Sequence, residues 1–315
     1  MGSAFPEASG IRDLGSATAK MIPTIYSGKM LVKFYKSTVF GAIANTNWEG
    51  EIKNQGDTVE IAGLPDITIN TFYKGMTLDY EQPEPAGTQL LIDKGKAWSF
   101  VTNTVDDKQT HIKDYREKWS EVAMRQMKIA IDADVLQNIY DDADSSNYGN
   151  SAGAISANIA MGADGGTSVA ITKSTVIDKI VECGQVLTEA DIPEEGRWMV
   201  IPAWMCTLIL TSDLKDASLA GDGTSMLRNG RLGVIDTFTL YKSNQLKTSA
   251  DGSSNTCTFI LYGTKDALTF ASQIVTNENL TNPLTFGNLW RGLQVYGYKV
   301  TQPTAMGVLY GYKTT

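Results

Sequence analysis

A chain of 315 residues with 42% hydrophobic and 20% charged content is long enough to bury a substantial core and too apolar to stay disordered. A net charge of −8, from 27 basic against 35 acidic residues, argues against a protein whose main task is coating a polyanion, because that affinity comes from phosphate neutralisation by Lys and Arg. The longest mainly apolar run, residues 198–210, contains Pro202 and falls short of the roughly 20 residues a spanning helix needs, so no membrane segment is expected.

Residues 1–25 are small and polar without a sustained period, the pattern of an arm ordered only against a neighbour. They also lack the basic start and apolar block of a secretion signal. Residues 25–44 are apolar with interspersed lysines and are expected to hold one short helix. From Asn47 the pattern becomes strand-like: apolar residues alternate at Val59/Ile61, Ile67/Ile69, Met76/Leu78/Tyr80, Leu90/Ile92 and Trp98/Phe100. Pro65, Pro83 and Pro85 interrupt the alternation, and proline belongs on edges, bulges and turns. Residues 48–100 thus predict a long, ragged hairpin. The segment has no Cys, His or compact glycine loop, so a hairpin of this size reaches for something rather than catalysing.

Residues 103–143 change character. Ile112, Tyr115, Trp119, Val122, Ile129, Ala133, Leu136 and Tyr140 recur at helical steps along one face, predicting a helix about 40 Å long. Asp141, Asp142 and Asp144 are unfavourable at a helix C-terminus and predict a stop near Tyr140. Residues 149–171, rich in Gly, Ala and Ser, predict a flexible connection or an irregular excursion. Val176, Ile177, Ile180, Cys183 and Leu187 mark a second amphipathic helix that ends before Pro193, with Thr175 and Asp178 spaced for a capping box. A buried strand at 197–204, a helix from 203, a glycine-containing loop at 221–233 and strands at 234–244, 256–263 and 267–274 follow. A final aromatic-rich strand region covers 292–312. Helices and strands mix without regular alternation, so the fold class is α+β.

The residues for familiar chemistry are missing. One histidine, His111, has no partner motif, which disfavours histidine-based nucleophilic catalysis and a multi-histidine zinc site. Cys183, Cys206 and Cys257 are distant and odd in number, the pattern of buried free thiols. The acidic loop after Tyr140 departs from a calcium loop, with Asn147 where glycine is needed. The glycine clusters match neither a dinucleotide fingerprint nor a phosphate loop. No cofactor and no metal is expected. Carboxylate pairs such as Glu194/Glu195 keep a small-oligomer carboxylate-dependent hydrolase as one alternative, and a β-rich tail or adhesion protein is another.

The order of elements, a small arm, a long hairpin, a very long helix, a compact mixed region and returning strands, resembles the major capsid protein of tailed bacteriophages with the Hong Kong 97 fold. The resemblance is carried by "NTNWEGEIKNQGDTVEIAGLPDITI", "LLIDKGKAWSFVTNTVDDKQ", "EEGRWMVIPAWM", "SDLKDASLAGDGTSMLRNGRLGVIDTFTLYKSNQL" and "RGLQVYGYKV", and it covers nearly the whole chain. It implies an arm at 1–47 and an extended loop at 48–100 lying across neighbouring subunits. It further implies a peripheral domain of 101–172 with 291–315 built on the spine helix, and an axial domain of 173–290.

The hairpin contacts between subunits would include Trp48, Glu49, Lys74, Tyr80, Lys94 and Lys96, and Asp222, Arg228 and Arg231 would stand near the symmetry axes. Lys74, Lys94 and Lys96 also sit where one branch of the family forms lysine–asparagine isopeptide crosslinks. Lys108, Lys113, Arg116, Arg125 and Lys128 are the candidates for a face turned to packaged double-stranded DNA, contacted weakly and without sequence preference. The resemblance implies a non-enzymatic shell protein that assembles in the bacterial host cytoplasm into pentamers and hexamers of the virion head. Its partners would be further copies of itself, a separate scaffolding protein, a portal protein and decoration proteins. By the same resemblance a small arm of roughly 45 residues cannot supply a built-in scaffolding segment, so that either a separate scaffolding protein exists or assembly needs none.

Overall fold

The computed structural model describes residues 36, 38–47, 58–63, 65, 67–77, 80–84, 87–104, 108, 114–212, 233–283 and 286–314. In chain order these form α1 (Phe40–Ile43), β1 (Thr58–Ala62), β2 (Gly87–Leu91), β3 (Lys94–Asn103), α2 (Tyr115–Asn138), β4 (Val169–Ile171), α3 (Val176–Glu189), β5 (Arg197–Ile201) and α4 (Ala203–Thr211). Then come β6 (Val234–Ile235), β7 (Phe238–Lys242), β8 (Thr248–Ala250), β9 (Thr256–Thr264), β10 (Leu268–Thr281), β11 (Gly287–Val300) and β12 (Met306–Lys313).

The centre is a mixed sheet in the order β4-β12-β9-β5-β7-β6, with β8 added to β9. Its middle strands read as unbroken apolar runs because both faces are covered. Every residue of β5 is buried, and alternation divides the side chains between two cores. Trp198 and Val200 join Phe259, Leu261, Val308 and Tyr310 beneath α1 and the second half of α2. Met199 and Ile201 join Ile260, Tyr262 and Leu309 beneath α3 and α4. All three cysteines are free and buried.

A second sheet, β10-β11-β3, extends from this body, and β1 and β2 form a separate antiparallel pair. The expectation of one hairpin over 48–100 is therefore corrected: β1 and β2 pair with each other, but β3, with Trp98 and Phe100, leaves to pair with β11 along ten residues. The alternation at Ile67/Ile69 and at Met76 and Tyr80 also misleads, since none of these residues lies in a strand. Pro65 and Pro83 lack the N–H that a ladder requires. The turn Tyr73-Lys74-Gly75-Met76 has a positive φ only at Gly75 (91°), a type II-like geometry whose twist splays paired strands rather than closing them.

The long helix is present as α2, 24 residues or about 36 Å, and continues as a 3-10 turn over Ile139–Asp142, close to the expected stop. Its buried stripe is Met127, Ile131, Val135, Leu136 and Ile139, not the single face expected to run through Tyr115, Trp119 and Val122 to Tyr140; Ile112 lies outside the described residues. The helix changes neighbours along its length: Trp119, 41% exposed, leans on Phe100 of β3, and the core stripe begins only where α2 meets the central sheet. α3 ends before Pro193 as expected, but Thr175 makes no cap bond to it; its hydroxyl accepts from the Thr172 N–H instead. Residues 149–168 are an ordered excursion, tied by bridges Gly149–Gly162 and Ala152–Ile159 and buried at Ala152, Ile159 and Met161.

Candidate assembly surfaces

Val59, Ile61 and Leu90 pack with Ile92 against Ala271 and Val295, so the root of the β1–β2 ribbon lies on the outer face of the second sheet. Approach is close enough that a Cβ on Gly297 would stand 2.2 Å from the Leu91 carbonyl oxygen. Beyond the root the ribbon leaves the body. Ile67 (65% exposed), Ile69 (89%), Tyr73 (65%) and Tyr80 (93%) are held out in solvent, and Lys74 sits in the end turn. Between root and turn, among the described residues, the limbs are joined by the Thr68 N–H donating to the Glu81 carboxylate at 3.1 Å, which holds that carboxyl below its ordinary value.

The remainder of the outer sheet face is uncovered. By the pairing register, Ala97, Ser99 and Val101 share that face with Leu289, Arg291 and Leu293 and with Thr276, Glu278 and Leu280. Val101, Leu280 and Leu293 are 41–54% exposed beside an open recess of about 540 Å³, crossed by the Arg291–Glu278 ion pair. The opposite face of the sheet packs on α2 through the stacked rings of Trp98, Phe100 and Trp290.

Lys94 is engaged within the chain, its ammonium 3.5 Å from Asp134 and over the Tyr298 ring. Burial works to lower its pKa, but Tyr298 and Asp134 outweigh burial and leave it raised. Tyr296 donates to the same carboxylate at 2.8 Å, and Tyr298 donates to the Asp134 backbone carbonyl at 3.1 Å. Lys96 is half-buried on the same strand. On α2, Arg125 and Lys128 are exposed, Arg116 is half-buried against the Tyr115 ring, and Arg125 pairs with Glu121 one turn away. Lys108 is exposed. Trp48, Glu49, Lys113, His111, Asp222, Arg228 and Arg231 lie outside the described residues.

Several polar anchors carry no motif that spacing could reveal. The Asp132 carboxylate, fully buried on α2, accepts from the Val39 and Phe40 N–H groups at 2.7 and 2.8 Å and from Gln245 at 2.7 Å, joining α1 to the central sheet. Glu189 accepts from the Ile155 and Ser156 N–H groups, the Ser156 hydroxyl and Gln185, which hold its carboxyl down at about 2. Buried Arg197 donates to the carbonyls of Gly184, Ile192 and Pro193 around the end of α3. Asp144 caps the 3-10 turn at Ser145, and Asp142 pairs with Lys299 at 3.8 Å. Among the described residues, no three His, Cys, Asp or Glu side chains gather as a metal site would require.

A body that covers both faces of its central sheet, yet extends an apolar ribbon and leaves a neighbouring sheet face open, has the form of a subunit made to pair with others. No protein-family model and no curated protein sequence matches the chain. Among solved structures, a chain of Mycobacterium phage Che8 is 26% identical with a TM-score of 0.74, covering 93% of this chain and 98% of that one. The capsid structure of cyanophage P-SCSP1u (17% identity, TM-score 0.68) covers 96% of this chain and 97% of its own. The mature capsid of bacteriophage PhiM1 (15%, 0.66) covers 99% of each. The chain has the fold of phage capsid proteins.

Proposed function

We propose that this chain is the major capsid protein of a tailed phage, of the Hong Kong 97 type, a structural and non-enzymatic component of the virion. It self-assembles through pentamers and hexamers into an icosahedral head around double-stranded DNA. The observation that carries this reading is likeness over the whole chain to capsid subunits, end to end in both partners. An apolar ribbon with no cover of its own agrees with it, because exposed strand edges are otherwise aggregation hazards and here their pairing is the function. Nothing among the described side chains or in the comparisons favours the hydrolase alternative.

Under this reading residues 1–47 are the arm, 48–100 the extended loop, 101–172 with 291–315 the peripheral domain, and 173–290 the axial domain. The sheet β10-β11-β3 draws strands from three of these units. Lys74 and Tyr80 in the ribbon, with Trp48, Glu49 and Lys96, meet neighbouring copies, and Asp222, Arg228 and Arg231 stand near the symmetry axes. A separate scaffolding protein, a portal and decoration proteins complete the head, which assembles in the host cytoplasm. Electron microscopy and sedimentation of the purified protein, alone and with its neighbouring phage proteins, test this. Closed shells or five- and six-membered rings are expected, and a persistent monomer under every condition would overturn the assignment.

A further inference from the structure

Among the described residues the two limbs of the ribbon carry no ladder past Ala62–Gly87, yet they are not out of register. In β1–β2, Thr58 faces Leu91 and Ala62 faces Gly87. Farther out, Thr68 bonds to Glu81, and at the end the Met76 N–H donates to the Tyr73 carbonyl. All four pairs are centred on the same point, the Lys74–Gly75 peptide. The paired root, the isolated clamp and the end turn thus belong to one register that is kept without continuous backbone hydrogen bonds.

Counted in that register, Ile67, Ile69 and Tyr73 of one limb and Met76 and Tyr80 of the other have the parity of Val59, Ile61 and Leu90 at the root. Thr68, Asn70, Thr77 and Glu81 have the other parity, with Phe72 beside the turn as the apolar exception, so strand-like pairing of the limbs would gather the first set on one face. A slip of one residue between the limbs would exchange these faces for one limb and break the apolar stripe. Among the described residues, the Thr68–Glu81 bond is the one that lies between root and turn to oppose it.

We propose that Glu81 is a positioning residue: its bond to Thr68 holds the limbs in register so that Ile67, Ile69, Tyr73 and Tyr80 present one apolar face to a second copy of this chain. The occupant is argued from continuity. At the root the same ribbon face is already packed on Val295 and Ala271 of the outer sheet face, and the uncovered part of that sheet offers matching apolar surface at Val101, Leu280 and Leu293. The ribbon leaves its own body and reaches the equivalent surface of a neighbour. This inference rests on the self-assembly reading above, but the register itself does not.

Two measurements test it. In the unassembled subunit, Thr68→Cys/Glu81→Cys should form a disulfide faster than Asn70→Cys/Glu81→Cys, since only the first pair is directly opposed; the native thiols are buried and do not compete. Equal rates would overturn the register. In assembly, Glu81→Ala should remove shells without unfolding the subunit, because Glu81 is exposed, and Glu81→Gln, which keeps an acceptor for the Thr68 N–H, should restore them. Thr68→Cys/Glu81→Cys should assemble when oxidised and fail when reduced. Shells from Glu81→Ala at the unsubstituted yield, or from the reduced double cysteine, would overturn the positioning role while leaving the capsid assignment standing. If the unsubstituted chain forms no shells, the assembly reading and the positioning role both fail, and the disulfide rates still judge the register.

Discussion

Asp132 is buried where charge is costly, and burial raises its pKa from the ordinary 3.8 despite the three hydrogen bonds that pull the other way. For a carboxyl whose folded value is raised, the favourable contribution is complete below the unfolded value and is lost as pH rises through the folded one. Asp132→Asn should therefore flatten the part of the stability curve that declines above about pH 4, read from denaturant unfolding of the subunit across pH. Asp132→Ala leaves the Val39 and Phe40 N–H groups buried without an acceptor and should lower stability by about 2–4 kcal/mol at neutral pH. Glu189 works with the opposite sign. Its carboxyl is held down at about 2 by Ser156 first and Gln185 next, so its contribution is present above the unfolded value of about 4.5 and fades as pH falls toward 2. Glu189→Ala should speed amide hydrogen exchange at Ile155 and Ser156 at pH 7 while leaving the core strand β9 protected; unchanged exchange at both amides would contradict the anchoring role.

Among the elements, the ribbon is held to the body where β2 crosses β11 at Gly297. A methyl there would meet the Leu91 carbonyl at 2.2 Å and the Ile92 Cα at 3.0 Å, both backbone, so no side-chain rotation relieves the overlap. Gly297→Ala should detach the root and cost about 1–3 kcal/mol, visible as lost exchange protection across β1 and β2. The ribbon's splay has a separate cause in its turn. Lys74→Asn creates an Asn-Gly pair suited to a type I′ turn, which should close the limbs and raise exchange protection at Ile69 and Thr71. Period and flanking residues made α2, α3, β5, β7, β9 and β12 legible in the sequence, because each has a dominant buried face or two. The ribbon was legible as a projection but not as an open one, since alternation reports faces and not whether a ladder closes. The pairing of β3 with β11 spans nearly two hundred positions of sequence and leaves no local trace. Asp132 and Glu189 were invisible for a similar reason: their partners are largely backbone N–H groups, which every residue but proline offers, joined by Gln and Ser side chains.

At the scale of the whole molecule, under the proposed capsid reading, a net charge of −8 would make a wall of many copies repel a packaged genome on average and would confine contact to local basic patches. The described part of the candidate patch is Lys108, Arg116, Arg125 and Lys128, three of them exposed, with Lys113 beside them in sequence. Arg125 is partly offset by Glu121 one turn away. Only a modest number of phosphates per copy can be met, and the contact should be sensitive to salt. Each phosphate contact removed by Lys→Gln or Arg→Gln substitution should reduce the steepness of the logarithmic salt dependence of DNA binding by about 0.9. The ribbon and the sheet recess are untouched by these substitutions, so empty shells should form at the unsubstituted yield while the DNA retained per shell falls, measured as the absorbance ratio of gradient-purified heads. Full heads from the five-fold variant would remove α2 from the DNA-facing surface, and loss of shells altogether would place these residues in the contacts between subunits instead.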